Sequence, residues 1–133
     1  MKSTLSSLTA VSLSAVLAVS AMATPALAQS QMTVAQFLEA GRDIPRNRAA
    51  AMLRADTRRL VRVATGAVSQ VKSEQAAAEL AGNRPNHCIP SSGTGITPEA
   101  LVARFEGMPA TRRNVTVTQA VRDWMAERYP CRA

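Results

Sequence analysis

The sequence predicts an all-α protein, a small bundle of about four helices stapled by one disulfide. Three observations carry that expectation. Apolar residues recur at three- and four-residue spacing over most of the chain, and no alternating β-branched run is longer than "NVTVT". The chain holds only two cysteines, Cys88 and Cys131. Its first residues also read as an export signal, which would deliver both thiols to an oxidising compartment.

That signal is "MKSTLSSLTAVSLSAVLAVSAMATPALAQS". Lys2 supplies a positive end, an apolar but Ser-diluted run extends from Leu5 to about Met22, and Pro25 precedes the A-x-A pair Ala26 and Ala28. The expected organisation is a signal peptide over residues 1–28, cleaved between Ala28 and Gln29, and one helical domain over 29–133. The apolar run is too diluted for a spanning helix, so no stable membrane anchor is expected after cleavage. Of 133 residues at a net charge of +7, losing the first 28 together with Lys2 leaves 105 residues at +6. That length suits a single small domain.

The first mature element is "MTVAQFLEAGRD". Thr33 and Gln36 form a capping-box pattern, Phe37 and Leu38 give an apolar edge, and Gly41 ends the helix. The longest helix is expected from about Pro45 to Leu80. Leu53, Leu60, Ala64, Val68 and Val71 would share its buried face, with a bend near Gly66. Arg54, Arg58 and Arg62 step by four along another face. They form either a docking stripe for an acidic partner or an ordinary solvated surface.

"GNRPNHCIPSSGTG" reads as a loop, with His87 an exposed residue in it. "ITPEALVARFEGMP" opens the third helix with Thr97 as N-cap, Pro98 in the first turn and Glu99 near the positive end. Leu101, Phe105 and Met108 would line its buried side, and Pro109 would stop it. "TVTQAVRDWMAERYPC" is the last helix, with Val117, Val121, Trp124 and Arg128 on one side and Trp124 and Tyr129 as core anchors.

The two cysteines are expected to pair, closing a loop that ties the last helix to the segment before the third one. The competing readings are thiol chemistry with His87 as base, and a metal site. Adjacent residues seldom form a nucleophile–base pair, no C-x-x-C is present, and one His with two distant Cys supplies too few ligands. Ser91, Ser92 and Thr94 have no evident base, and "SSGTG" lacks the Lys of a phosphate-binding loop. The expectation is therefore no catalytic, cofactor-binding or metal-binding residue, and no enzyme. Nucleic acid is a poor partner for an exported chain with four scattered mature aromatics, Phe37, Phe105, Trp124 and Tyr129.

"CIP…GITPEALVARFEGMP…TVTQAVRDWMAERYPC" resembles the C-terminal half of the Rap/Tai family, periplasmic immunity proteins of type VI secretion. The matching positions are Cys88 and Pro90, Thr97, Pro109 and Tyr129-Pro130-Cys131, and "LVRVATGAVSQV" is similar to the family's glycine-centred middle helix, with Gly66 as the match. The family's additional cysteines in the first half are missing here. The resemblance implies a compact, often dimeric helical protein that binds a peptidoglycan-cleaving amidase effector and occludes its active site. From the residues themselves, the loop carrying His87, Pro90, Ser91 and Ser92 is the candidate plug, with Arg54, Arg58 and Arg62 for electrostatic steering. The alternative is a structural or stress-related envelope protein, chaperone-like, with no dedicated effector.

Overall fold

The computed structural model of the protein describes residues 32–132, so the proposed signal segment and its Ala28–Gln29 cleavage site lie outside the described residues. The helices are α1 (Val34–Gly41), α2 (Arg48–Leu53), α3 (Ala55–Leu80), α4 (Pro98–Glu106) and α5 (Val117–Arg128), with a 3-10 turn at Ala110–Arg112. The all-α expectation holds, with five helices among the described residues where about four were expected.

An eight-residue helix such as α1 is marginal alone, and two devices secure it. Its capping box is complete: Gln36 N donates to Thr33 Oγ1 at 3.2 Å and Thr33 N to Gln36 Oε1 at 3.0 Å. The extended residues before α5 then accept from its unsatisfied first turn. Val34 N donates to Val115 O at 2.9 Å and Ala35 N to Arg113 O at 2.8 Å, while Val117 N returns a bond to Met32 O at 2.8 Å. The "NVTVT" run thus serves as a short antiparallel seam between two helix starts, centred on the Thr33–Thr116 bridge.

The long helix differs from expectation in where it starts and where it breaks. Asn47 Oδ1 accepts from Ala49 N and Ala50 N, so helix begins at Arg48 and not at Pro45. At Arg54 the backbone turns extended (ψ 137°), and α3 starts afresh. The freed carbonyls of α2 are capped by Arg58, whose Nη1 donates to Leu53 O at 2.8 Å and to Met52 O at 3.3 Å. Gly66 marks no break. It lies inside α3, exposed, with nothing within 4 Å of where a Cβ would sit. The break at Arg54 also resets the buried face to Thr57, Leu60, Val63, Ala67 and Val71. Leu53, expected in that stripe, is 80% exposed, and Ala64 and Val68 sit at its edge, half-buried. At the far end Gly82, at φ +70°, accommodates the left-handed turn that closes α3, and Asn83 N donates to Ala78 O at 2.8 Å.

α4 follows expectation at its start, where Thr97 Oγ1 accepts from Ala100 N at 3.1 Å with Pro98 in the first turn. It ends at Glu106, before Pro109, and Arg113 closes it by donating to Glu106 O and Met108 O. Leu101 and Phe105 are buried, whereas Met108 lies past the helix end and is half-buried. On α5 the buried face is Val117, Thr118, Ala120, Val121 and Met125, rotated from the expected side. Trp124 packs against the core from its rim and does not lie inside it. It is half-buried beneath Arg104, whose guanidinium lies 5.8 Å from the ring centroid and pairs with Glu127 at 2.5 Å. Arg128 is exposed.

One continuous core joins these faces: Val34 and Phe37 from α1, Leu60 to Val71 from α3, Leu101 and Phe105 from α4, and Val117 to Met125 from α5. Phe37 and Phe105 meet edge to face at 5.5 Å between centroids. α5 packs along α3, and α1 touches α3, α4 and α5.

Candidate functional site

The segment from Asn83 to Ile96 is held against α3 and the chain end from several directions. Cys88 and Cys131 are joined in a disulfide with Cα atoms 5.0 Å apart across 43 positions. Beside it Cys88 N donates to Tyr129 O at 2.8 Å, and Arg84 reaches Arg132 O at 3.4 Å. The disulfide thus works alongside one main-chain bond and one side-chain bond.

The opposite side of the loop is gripped by Gln75 on α3. Its Oε1 accepts from Ile89 N at 2.8 Å and its Nε2 donates to Ile89 O at 3.3 Å, so one side-chain amide satisfies both polar groups of a residue whose side chain is buried. One turn earlier, Val71 O lies 2.9 Å from His87 Nε2. A carbonyl only accepts, so Nε2 carries a hydrogen. Nδ1 is buried and has no hydrogen-bond partner among the described residues.

This placement corrects the expectation for His87. It is 2% exposed, packed under the loop as part of its fastening, and cannot touch a partner or activate a nucleophile at the surface. Pro90, Ser91 and Ser92 are exposed, as expected of a tip. Gly93 N closes a turn onto Pro90 O at 2.9 Å, and its φ of +109° is open to glycine and strained for other residues. Beyond it, Tyr129 Oη donates to Thr94 O at 3.0 Å, which makes Tyr129 a brace for the loop, half-buried, and no deep core anchor. The tip therefore stands between two fastened ends.

Arg54, Arg58 and Arg62 are exposed but not equivalent. Arg54 is the hinge residue and lies 3.6 Å from Asp56, Arg58 caps α2, and Arg62 makes no ion pair among the described residues. The structure does not bring this row to the loop. The row's members lie nine to seventeen positions before Val71, about 14 to 26 Å at the helical rise.

Two further features have no counterpart in the sequence pattern. Arg122 on α5 bonds both oxygens of Glu74 on α3, each at 2.7 Å, and also donates to Gln119 Oε1. The Arg122 guanidinium holds the Glu74 carboxyl below the ordinary range, burial acting in the opposite sense. The second feature is an apolar cleft of about 1320 Å³ between α3 and α4 with α1 at its base, lined by Leu38, Leu60, Val61, Ala64, Leu101 and Val102 among others. Thr57 also lines it, and its buried Oγ1 has no hydrogen-bond partner among the described residues. A helical threonine commonly bonds the carbonyl four residues back. Here that carbonyl, Leu53 O, lies beyond the break and is taken by Arg58.

Gln75 had a readable signal. It continues the Ala67–Val71 stripe, and a polar residue in a buried register needs a partner. The Glu74–Arg122 pair spans 48 positions with no local signal. Among the described residues no group of three His, Cys, Asp or Glu side chains is placed to hold a metal ion. No family model, no curated protein and no solved structure matches the chain.

Proposed function

We propose that this is an exported binding protein of the immunity type, which inhibits a peptidoglycan amidase effector by seating the Pro90–Ser92 tip in its active-site cleft. The observation that carries the reading is the mounting of that tip. It is exposed, and it is tied on one side by Cys88–Cys131 and the Gln75–Ile89 bonds and on the other by Tyr129–Thr94. A segment already ordered before binding loses little conformational freedom when it enters a cleft. The disulfide is in keeping with an oxidising compartment such as the periplasm, and the likeness of "CIP…YPC" to the immunity family agrees with both.

The test is a panel of peptidoglycan amidases assayed with equimolar oxidised protein. One member should lose most of its activity, and a bulky Ser91→Trp tip variant that melts like the parent should restore it. If no amidase responds, or if the tip variant inhibits as well as the parent, occlusion by this loop is wrong.

The alternative, a chaperone-like envelope protein with no dedicated effector, draws on the apolar cleft between α3 and α4. Suppression of client aggregation without any amidase inhibition would favour it.

A further inference from the structure

The break at Arg54 produces a surface that the proposed inhibition does not use. Residues 46–62 hold six arginines, Arg46, Arg48, Arg54, Arg58, Arg59 and Arg62, against one carboxylate, Asp56, and all seven are exposed. Arg54 is the arginine that Asp56 approaches, at 3.6 Å. No other ion pair involves the group among the described residues. At the elbow between α2 and α3, within this basic field, the side chain of Leu53 is 80% exposed and that of Met52 49% exposed. Ala51 is the one buried residue of α2, so the helix presents nearly all its surface outwards.

We propose that the α2–α3 elbow is a peripheral docking surface for an anionic phospholipid bilayer, with Leu53 and Met52 entering the interface and the surrounding arginines resting on the headgroups. Charge complementarity selects an anionic partner. The apolar apex selects among anionic partners, because a soluble acidic polymer gains from the guanidinium groups and leaves Leu53 in water. A bilayer offers phosphate charge and an apolar layer a few ångströms beneath it, the combination that interfacial helices exploit. Arginine suits the role, since its planar fork bonds phosphate oxygens in pairs. No described helix is long and apolar enough to cross a membrane, so the association is reversible and superficial.

The experiment is co-sedimentation of the oxidised mature protein with vesicles of equal parts phosphatidylglycerol and phosphatidylcholine, and with phosphatidylcholine alone. Binding is expected to the anionic vesicles only, and to weaken as salt shortens the Debye length. Arg48→Gln/Arg59→Gln/Arg62→Gln, which spares the Arg58 cap, should weaken partitioning on the order of a hundredfold, about fivefold per charge. Leu53→Ser should weaken it about tenfold with all charges kept, and both variants should retain the parent's circular dichroism and melting. Absence of binding to anionic vesicles at low salt would overturn the proposal. So would equal affinity for soluble polyglutamate combined with indifference to Leu53→Ser, an outcome that assigns the surface to an acidic macromolecule.

Discussion

From Val71 onwards, α3 is fastened to its surroundings by directional bonds. Val71 O meets His87, Glu74 meets Arg122, and Gln75 meets both polar groups of Ile89, with the Cys88–Cys131 disulfide just outside. Between Arg54 and Arg62 the same helix is held by burial of Leu60 and Thr57, while α2 buries one residue, Ala51. One end of the helix is built to hold a loop still. The other leaves apolar and basic side chains in the open. The difference suggests that the two proposed surfaces have different demands, since a plug gains from rigidity whereas a membrane-docking elbow needs exposed apolar side chains within a basic field.

The largest break in that contrast comes from removing the covalent tie. Cys88→Ser/Cys131→Ser, or reduction of the parent, should lower unfolding free energy by up to about 4 kcal/mol for a loop of this length. Denaturant unfolding with and without reductant measures it. Hydrogen exchange should then rise first in residues 84–95 and beyond Tyr129, with the α1–α5 seam still protected. Uniform loss of protection would mean that the fastened end is no separate unit.

The next effect belongs to Gln75. Gln75→Ala leaves Ile89 N–H and C=O without partners beside a buried side chain, at a cost of about 2 kcal/mol. Gln75→Glu keeps an acceptor for Ile89 N–H but offers Ile89 O no donor, so it should recover part of the loss. If both variants unfold at the parent's midpoint, the Gln75 bonds contribute nothing to the grip on the loop.

Much of this architecture was readable from local chemistry, and its failures share one cause. Thr33 with Gln36, and Thr97 with Pro98, announced helix starts because a cap depends on residues three apart. The disulfide followed from two cysteines in one compartment. The break at Arg54 carried no such mark, for neither Gly nor Pro stands there. It is set by the Asn47 cap starting a short helix upstream and by Arg58 folding back onto that helix's end. A periodicity carried unbroken through Arg54 has the wrong phase before it, which is why the sequence pattern places Leu53 in the core. The exposure expected of His87 fails for a related reason. Its burial depends on a carbonyl 16 positions away, and a loop rich in Pro, Gly and Ser reads as exposed throughout.

Gly66 sharpens the comparison in the stabilising direction. It lies between the two ends of α3, in ordinary helix, and an added Cβ meets nothing. Gly66→Ala should raise stability by about 1 kcal/mol through helix propensity and a less flexible unfolded chain. Thermal melting of the oxidised protein reads this directly. A destabilised variant would mean that α3 bends at this position in solution.

The smallest effect concerns the ion pair that ties the fastened half of α3 to α5. Arg122, bonded to both Glu74 oxygens, depresses the carboxyl below its ordinary value near 4.3. For a group lowered by folding, the stabilisation is complete above the unfolded value and disappears as pH falls through the folded one. Glu74 is 37% exposed and Arg122 24%, so solvent screens the pair and its contribution stays below about 1 kcal/mol. Stability measured from pH 7 to pH 2 should therefore decline more in the parent than in Glu74→Gln, and only below the ordinary glutamate range. Near neutral pH the variant should lie below the parent by that small margin, and at pH 2 the two should converge. Convergence would place the acid sensitivity of the α3–α5 seam in this one carboxylate. Parallel curves over the whole range would assign it to the exposed acids elsewhere and leave the disulfide and Gln75 as the features that distinguish the two ends of α3.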